Sequence, residues 1–160
     1  MKITLGTLML LLVVIGTAFA SEPVLELGTA SSEAGQAVTV PLTLTTHGAA
    51  LAAVSADIGY SPELFTVVTT VSAANPAKAV VAGPAATAAE KIVVQRVPVP
   101  GTLRVGIFSP ANSNLIGDGV VAYVTFTRVP NTTGTPVLTN TPGAADAEGN
   151  PIPILSSVGQ

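Results

Sequence analysis

Apolar residues alternate with small or polar residues in several short stretches of this chain. The clearest stretch is residues 51–65, LAAVSADIGYSPELF, where an apolar residue recurs at every second position from Val54 to Tyr60. Successive side chains of a strand point to opposite faces, so this spacing predicts a half-buried β-strand. Pro62 ends the strand, because proline has no backbone N–H and a fixed φ. The residues predicted to face outward are small or polar: Ala53, Ser55, Asp57 and Gly59.

The same period of two predicts further strands along the chain. They cover residues 24–28, 38–45, 64–71, 91–97, 102–108, 119–129, 137–139 and 152–155. Pro41 interrupts one of these runs, which predicts an edge position or a β-bulge there. Residues 72–90 are rich in Ala, Pro and Gly and are predicted to form a long surface loop. The alternatives for this segment are a short strand at 78–81 or a helical turn at 85–90.

The strand predicted at residues 119–129 carries a second set of candidate surface residues. One face is apolar and is expected to join the core: Val120, Ala122, Val124 and Phe126. The other face is expected to point outward: Val121, Tyr123, Thr125 and Thr127. An exposed tyrosine can anchor a protein interface, where a few aromatic side chains carry most of the affinity. The alternative for Tyr123 is a lone surface tyrosine under a loop.

Short strands separated by turn residues, with no amphipathic helix, predict an all-β fold. Because exposed sheet edges invite aggregation, we expect a Greek-key or jelly-roll β-sandwich of about nine strands. The length after residue 20 suits one ordinary domain, so residues 21–160 are predicted to form a single unit. It is long enough to bury a core without a metal or a disulfide.

Residues 1–20 have the pattern of a secretory signal peptide. Lys2 precedes an uninterrupted apolar run, and Ala18-Phe19-Ala20 fits the small-x-small rule for cleavage. We expect cleavage after Ala20, a secreted or cell-surface protein, and no membrane association of the mature domain. The alternative is an uncleaved membrane anchor, for which the apolar run is short.

The composition excludes several function classes. The chain has no cysteine, which excludes a disulfide scaffold and any thiolate metal site. A pI of about 4.9 and the absence of a basic run argue against a nucleic-acid partner. Only 9% of the residues are charged, which predicts a bland surface whose binding depends weakly on salt.

Residue types that support catalysis or metal binding are sparse. His47 is the only histidine and lies in a Thr-Thr-His-Gly turn, where a solvated side chain is expected. Asp57 and Glu63 bracket a turn, whereas a glycosidase pair needs a set separation across a cleft. Residues 146–150, DAEGN, alternate oxygen-bearing side chains that could bind Ca²⁺, but they lack the EF-hand pattern, so a hydrogen-bonded turn is expected. We therefore predict no catalytic residues and no cofactor.

Four segments, in order along the chain, resemble the sequence pattern of cohesin domains. Residues 35–42, GQAVTVPL, are similar to the cohesin run G-x-x-V-x-V-P-V, and residues 60–64, YSPEL, are similar to a Y-D-P-x-L turn. Residues 118–126, DGVVAYVTF, resemble a cohesin strand that begins D-G-V, and residues 146–152, DAEGNPI, resemble the closing D-x-x-G-x-x-I segment. The likeness covers nearly all of the chain after residue 20.

This resemblance implies a nine-stranded jelly roll that binds a dockerin, usually to assemble polysaccharide-degrading enzymes. The partner-binding face would be one sheet surface that includes the strand before the tyrosine-proline turn. The Asn and Asp that well-known cohesins offer there correspond to about Ala53 and Ser55, which have shorter side chains. We predict a secreted, non-catalytic protein-binding module with these partner-binding residues: Ala53, Ser55, Asp57, Gly59, Val121, Tyr123 and Thr125.

Two other functions are kept as alternatives. A carbohydrate-binding module of related fold would need an exposed strip of aromatic side chains, and the chain has only two tyrosines and no tryptophan. Polysaccharide therefore stays a second candidate partner. A structural subunit of a surface layer or filament would also suit the Thr- and Ala-rich composition.

Overall fold

The computed structural model describes residues 21–68 and 78–159, which form two β-sheets packed face to face. The strands, in chain order, are β1 (Val24–Leu27), β2 (Ala37–Thr45), β3 (Ala53–Gly59), β4 (Phe65–Thr66), β5 (Val80–Ala82), β6 (Ile92–Val99), β7 (Thr102–Phe108), β8 (Gly119–Arg128), β9 (Thr139–Ala145), β10 (Pro151–Ile152) and β11 (Leu155–Val158). One short helix, α1 (Pro84–Ala88), follows β5 in the described ranges. No helix in the described ranges has the length and apolar character needed to cross a membrane.

The first sheet has the strand order β11-β1-β2-β8-β4, and β5 also pairs with β8. The second sheet has the order β10-β9-β3-β7-β6. The chain changes sheet after β2, β3, β5, β7, β8 and β10, so neighbours within a sheet are mostly distant in sequence. This arrangement confirms the predicted all-β sandwich of jelly-roll type.

The core lies between the two sheets and is filled by the inward residues of alternating strands. The largest fully buried side chains include Phe65, Phe126 and several leucines. The rings of Phe65 and Phe126 have centroids 5.4 Å apart, and Tyr60 packs on Phe126 at 5.7 Å. Tyr60 is therefore partly buried against the core, as predicted from its spacing of two residues from Ile58 on the same face of the strand.

Pro41 lies in a strand with neighbours on both sides, so the predicted edge position is wrong. The O atom of Pro41 accepts a hydrogen bond from the N–H of Gly28, one residue beyond the end of β1. Because N–H and C=O of one strand residue point to the same side, the missing N–H costs no ladder bond to β8. The predicted bulge is present one residue later, where the β2–β8 register shifts between Leu42 and Thr43.

The region between β3 and β6 differs most from the sequence prediction. The strand predicted at 64–71 is only two residues long as β4, and residues 69–71 lie outside the described residues. Within the segment predicted as a loop, the structure has both β5 and α1, which were the two alternatives. The strand predicted at 137–139 is instead β9 at Thr139–Ala145, and the predicted last strand is divided between β10 and β11.

Candidate functional site

The seven residues predicted to bind a partner do not form one surface. Four of them lie on the outer face of β3, in the second sheet: Ala53, Ser55, Asp57 and Gly59. The other three lie on β8, in the first sheet: Val121, Tyr123 and Thr125. The sequence left open whether β3 and β8 are neighbours, and the structure places the two strands in opposite sheets.

Val121 also does not face outward, contrary to the prediction. Its side chain is fully buried, as is that of the next residue, Ala122. Leu42 pairs with Ala122 and Thr43 pairs with Val120, so Val121 is the extra residue of the β-bulge. A bulge interrupts the alternation of side chains, and the strand pattern alone did not reveal it.

Tyr123 and Thr125 lie on the outer face of the first sheet. Tyr123 is half-buried and is paired in register with Pro41 on one side and Val81 on the other. The Oγ1 atom of Thr125 is 2.8 Å from that of Thr39, a hydrogen bond across the strands. The sequence-based prediction that these two residues bind a partner therefore concerns a different face from that of the β3 residues.

The outer face of the second sheet is the best candidate site, and an ion pair marks one part of it. Arg104 on β7 faces Asp57 on β3 in register. Its Nε donates to Asp57 Oδ1 at 2.6 Å and its Nη2 donates to Asp57 Oδ2 at 2.5 Å. The hydrogen bond from Arg104 lowers the pKa of Asp57 below its ordinary value of 3.8. This bidentate geometry fixes the two side chains in one arrangement.

The register across the four strands extends this ion pair into a polar row. Thr141 on β9 pairs with Asp57, Asp57 with Arg104, and Arg104 with Arg96 on β6. Sequence reasoning missed both arginines, because each lies in a different segment from the β3 motif. The alternation in residues 91–97 and 102–108 was the signal that could have placed Arg96 and Arg104 on an outward face.

A shallow trough lies one row away from the arginines on the same face. Ser55 is its floor and is paired in register with Gly143 on one side and Gly106 on the other. The trough has a volume of about 380 Å³, and Ala53, Ala145 and Phe108 complete its lining. A Cβ at Gly143 would lie 2.9 Å from Ser55 Oγ, so the trough depends on residues without side chains.

Exposed apolar side chains border the trough on the side of β6. Ile92 is 47% exposed, Val94 44% and Phe108 38%. Ile92 pairs with Phe108 and Val94 pairs with Gly106, so the three side chains are neighbours on one face. A contiguous apolar patch beside a polar row is typical of a surface that binds another protein.

The carboxylates considered above for catalysis or metal binding make hydrogen bonds within the protein. The carboxylate of Asp57 accepts hydrogen bonds from Arg104, and Glu63 Oε2 accepts one from the Ser61 hydroxyl at 3.2 Å. His47 is exposed in its turn. Asp146 Oδ1 accepts from the backbone N–H groups of Glu148 and Asn150, at 3.0 and 2.8 Å, which is the hydrogen-bonded turn expected. Across residues 21–68 and 78–159 no cluster of three or more acidic or histidine side chains is placed to hold a metal ion.

Comparisons with known proteins agree on one family. The family model described as "Cohesin domain" matches residues 23–155. A comparison with curated proteins gives no match.

Several solved structures have the same fold. CaCohA2 from Clostridium acetobutylicum is 23% identical with a TM-score of 0.62, and the match covers 88% of each chain. The sixth cohesin of Acetivibrio cellulolyticus scaffoldin B, solved in complex with a Cel5 dockerin variant, is 17% identical with a TM-score of 0.66, covering 87% of this chain and 99% of that one. A non-cellulosomal cohesin from the archaeon Archaeoglobus fulgidus is 19% identical with a TM-score of 0.64, covering 86% and 87%. At such identities the likeness shows the fold alone.

Proposed function

The chain belongs to the cohesin domain family, and we propose that it is a non-catalytic module that binds a dockerin-type protein through the outer face of its second sheet. The cohesin of scaffoldin B described above was solved with a dockerin. For this chain the binding face is defined by four strands, β9, β3, β7 and β6, which present the trough, the apolar border and the arginine row together.

One observation carries the choice of this face over the opposite one. The trough around Ser55 and the exposed side chains of Ile92, Val94 and Phe108 form a continuous surface with a charged row beside it. Tight interfaces combine an apolar centre with a polar border in this way. The outer face of the first sheet presents the half-buried Tyr123 with one strongly exposed aliphatic neighbour, Val81, and no trough beside a charged row is found there in the described residues.

We propose a non-catalytic module because the chain belongs to a family of binding domains and because of the side chains on its candidate face. The carboxylate of Asp57 is held by an arginine, and the surface is a shallow trough rather than a deep cleft. A catalytic carboxylate pair needs a cleft that holds the substrate between the two groups. We therefore place this chain among binding modules rather than enzymes.

The wider setting of the proposal is an extracellular assembly. The signal-like pattern of residues 1–20 supports export of the chain, and many cohesins assemble polysaccharide-degrading enzymes. Phe108 is the one aromatic side chain on the candidate face, and the tyrosines in the described part of the chain are partly buried. Direct sugar binding through stacked aromatic rings therefore has no support from the structure.

Filling the trough tests the proposed function. We expect Ser55→Tyr to weaken binding of a dockerin by about tenfold or more, because the ring would occupy the space that a partner side chain must enter. The measurement is calorimetric titration of the purified chain with each dockerin module encoded in the source genome. Circular dichroism of the variant checks that the fold is kept.

The matched control is Thr39→Tyr, which places the same ring on the outer face of the first sheet. We expect this variant, and Tyr123→Ala on the same face, to bind as the wild type does. Loss of binding in the first-sheet variants with normal binding by Ser55→Tyr would move the site to the opposite face. If no dockerin binds the wild-type chain, the proposed function is wrong.

A further inference from the structure

We infer that the partner of this face presents a carboxylate to the paired arginines Arg96 and Arg104, and a small aliphatic side chain to the trough beside them. This inference rests on the proposed function and specifies the chemistry of the partner. It also changes the expectation of weak salt dependence, because the structure brings together two cations that are separate in the sequence.

The distribution of charge over the molecule supports an acidic partner. The chain carries nine acidic residues and a formal net charge of −3. Only one of these acids, Asp57, lies on any strand of the second sheet, whereas both Arg96 and Arg104 do. The outer face of this sheet is therefore locally positive on an otherwise negative protein. A partner with complementary negative charge gains both encounter rate and orientation from such a surface.

The other cations of the described part do not contribute to this face. Lys91 and Arg128 are 6% and 9% exposed and are held by internal hydrogen bonds. Lys78 is exposed and lies between β4 and β5, which both belong to the first sheet, so it is on no strand of the second sheet. The two outer-face arginines are therefore the cations available for recognition.

Within the polar row, the close partner of Asp57 is Arg104 and not Arg96. Arg104 is bound by the carboxylate of Asp57, and Arg96 lies directly across from Arg104 on its other side. Across residues 21–68 and 78–159, Arg104–Asp57 is the close ion pair, and the charge of Asp57 attracts Arg96 only at longer range. Like charges directly opposite each other on neighbouring strands destabilise a sheet. An incoming carboxylate would relieve this repulsion and could accept two hydrogen bonds from the guanidinium of Arg96.

The geometry of the sheet fixes where the second partner group must be. The charged row contains Asp57, Arg104 and Arg96, and the adjacent row contains Ser55, Gly106 and Val94. Rows that share a face are two residues apart along a strand, about 7 Å. A concavity of about 240 Å³ joins the two rows, lined by Ser55, Val94, Arg96, Arg104 and Gly106 among others.

A partner therefore needs an acidic and an aliphatic side chain roughly 7 Å apart. Residues two apart on a strand meet this spacing closely, and residues four apart on a helix meet it within about 2 Å. The aliphatic side chain of the partner must be small, because the space at the glycines is narrow. Even a Cβ added at Gly106 would lie 3.0 Å from Val94 Cγ2.

The test compares charge variants in titrations with a dockerin that binds the wild-type chain. We expect Arg96→Glu to weaken binding about tenfold or more, because an attractive contact becomes a repulsive one. Thr39→Glu, which adds negative charge on the outer face of the first sheet, is the control and should bind within about twofold of the wild type. Raising the salt concentration about tenfold should weaken the wild type more than Arg96→Gln. Replacing the facing carboxylate of the dockerin with Lys should restore binding to Arg96→Glu.

The outcomes separate the two proposals. If Ser55→Tyr abolishes binding while Arg96→Glu binds normally with unchanged salt dependence, the acidic-partner inference is overturned and the proposed function stands. If no dockerin binds, the proposed function fails, and the inference is decided by a second experiment.

That second experiment uses defined peptides and the ¹⁵N-labelled chain. One helical peptide carries Leu and Glu four residues apart, and its counterpart carries Leu and Lys. We expect the Glu peptide alone to shift the amide resonances of Ser55, Arg104 and Gly106, with the shifts lost in Arg96→Glu. Equal effects of the two peptides, or no effect of either, would overturn the inference.

Discussion

Single carboxylates hold the irregular segments of this protein in place by accepting several hydrogen bonds each. Asp118, just before β8, accepts from the backbone N–H of Thr46 at 2.7 Å and from its hydroxyl at 2.6 Å. Thr46 follows the end of β2 and is 9% exposed. The contact thus joins two segments that are 72 residues apart in sequence. The hydrogen bonds from Thr46 lower the pKa of Asp118 below its ordinary value of 3.8.

We predict that the contribution of Asp118 to stability depends on pH. Because its pKa is lower in the folded state, the charged carboxylate stabilises the fold above the unfolded-state pKa, and this stabilisation is lost as pH falls through the folded-state pKa. Asp118→Asn should be less stable than the wild type at neutral pH, and the difference should shrink in acid. Urea unfolding at a series of pH values measures it.

The Thr46 hydroxyl provides the control for this prediction. Thr46→Val removes one donor to Asp118 and keeps the carboxylate. The pKa of Asp118, followed by NMR of its carboxyl carbon, should rise toward 3.8 in this variant. A wild-type Asp118 that already titrates at its ordinary value would contradict the argument.

Among the elements, β8 organises the first sheet, because β2, β4 and β5 all pair with it. The bulge at Val121 turns that side chain inward and brings the β5–α1 connection against the strand. There the N–H of Gly83 donates to the O of Val121 at 2.9 Å. A Cβ at Gly83 would lie 2.3 Å from the O of Val120, so no larger residue fits without moving the backbone. The close approach of these elements thus requires a glycine, although the φ of Gly83 is an ordinary −86°.

We predict that Gly83→Ala destabilises the protein by about 1–3 kcal/mol, since the methyl group meets backbone rather than a movable side chain. The matched control is Gly117→Ala, where nothing lies within 4 Å of the added Cβ. This control should change the free energy of unfolding by no more than about 0.5 kcal/mol. Urea unfolding curves compare the two variants. Equal stability of both would show that β8 and the β5–α1 connection are not packed this closely.

At the scale of the whole molecule, Asn140 ties the two sheets together. It lies on β9 in the second sheet, is 7% exposed, and its Nδ2 donates to the O of Leu25 on β1 at 2.7 Å. Its own backbone O accepts from the hydroxyl of Ser156 on β11. One buried residue therefore contacts two strands of the opposite sheet. Buried polar groups of this kind define how layers align, because few alternative partners exist in the core.

We predict that Asn140→Ala lowers the free energy of unfolding by about 1–3 kcal/mol, because the carbonyl of Leu25 loses a buried partner. The neighbouring Thr141→Ala, on the exposed face of the same strand, serves as the control. Far-ultraviolet circular dichroism and tyrosine fluorescence should report a single coincident transition in urea for both variants. An unchanged midpoint for Asn140→Ala would show that the sheets are aligned by apolar packing alone.

Much of the fold could be predicted because it depends on local rules. Side chains alternate along any strand, so the core faces of β2, β3 and β7 follow from the positions of Val, Leu and Ile. The turn at residues 146–150 could be predicted because Asp146 bonds its own neighbours in sequence. The β3 part of the candidate face could be predicted for the same reason, since parity alone places Ser55 and Asp57 outward.

The rest was decided by tertiary structure, because it depends on which strands become neighbours. Periodicity cannot tell that β3 and β8 lie in opposite sheets, so Tyr123 was grouped with Ser55. Val121 is buried because β8 has one extra residue opposite β2 at the bulge. A bulge depends on how two strands pair, so the sequence of β8 alone does not reveal it. The arginine row likewise exists only through pairing: Arg96 and Arg104 become a site where β6 meets β7, beside a carboxylate that β3 supplies.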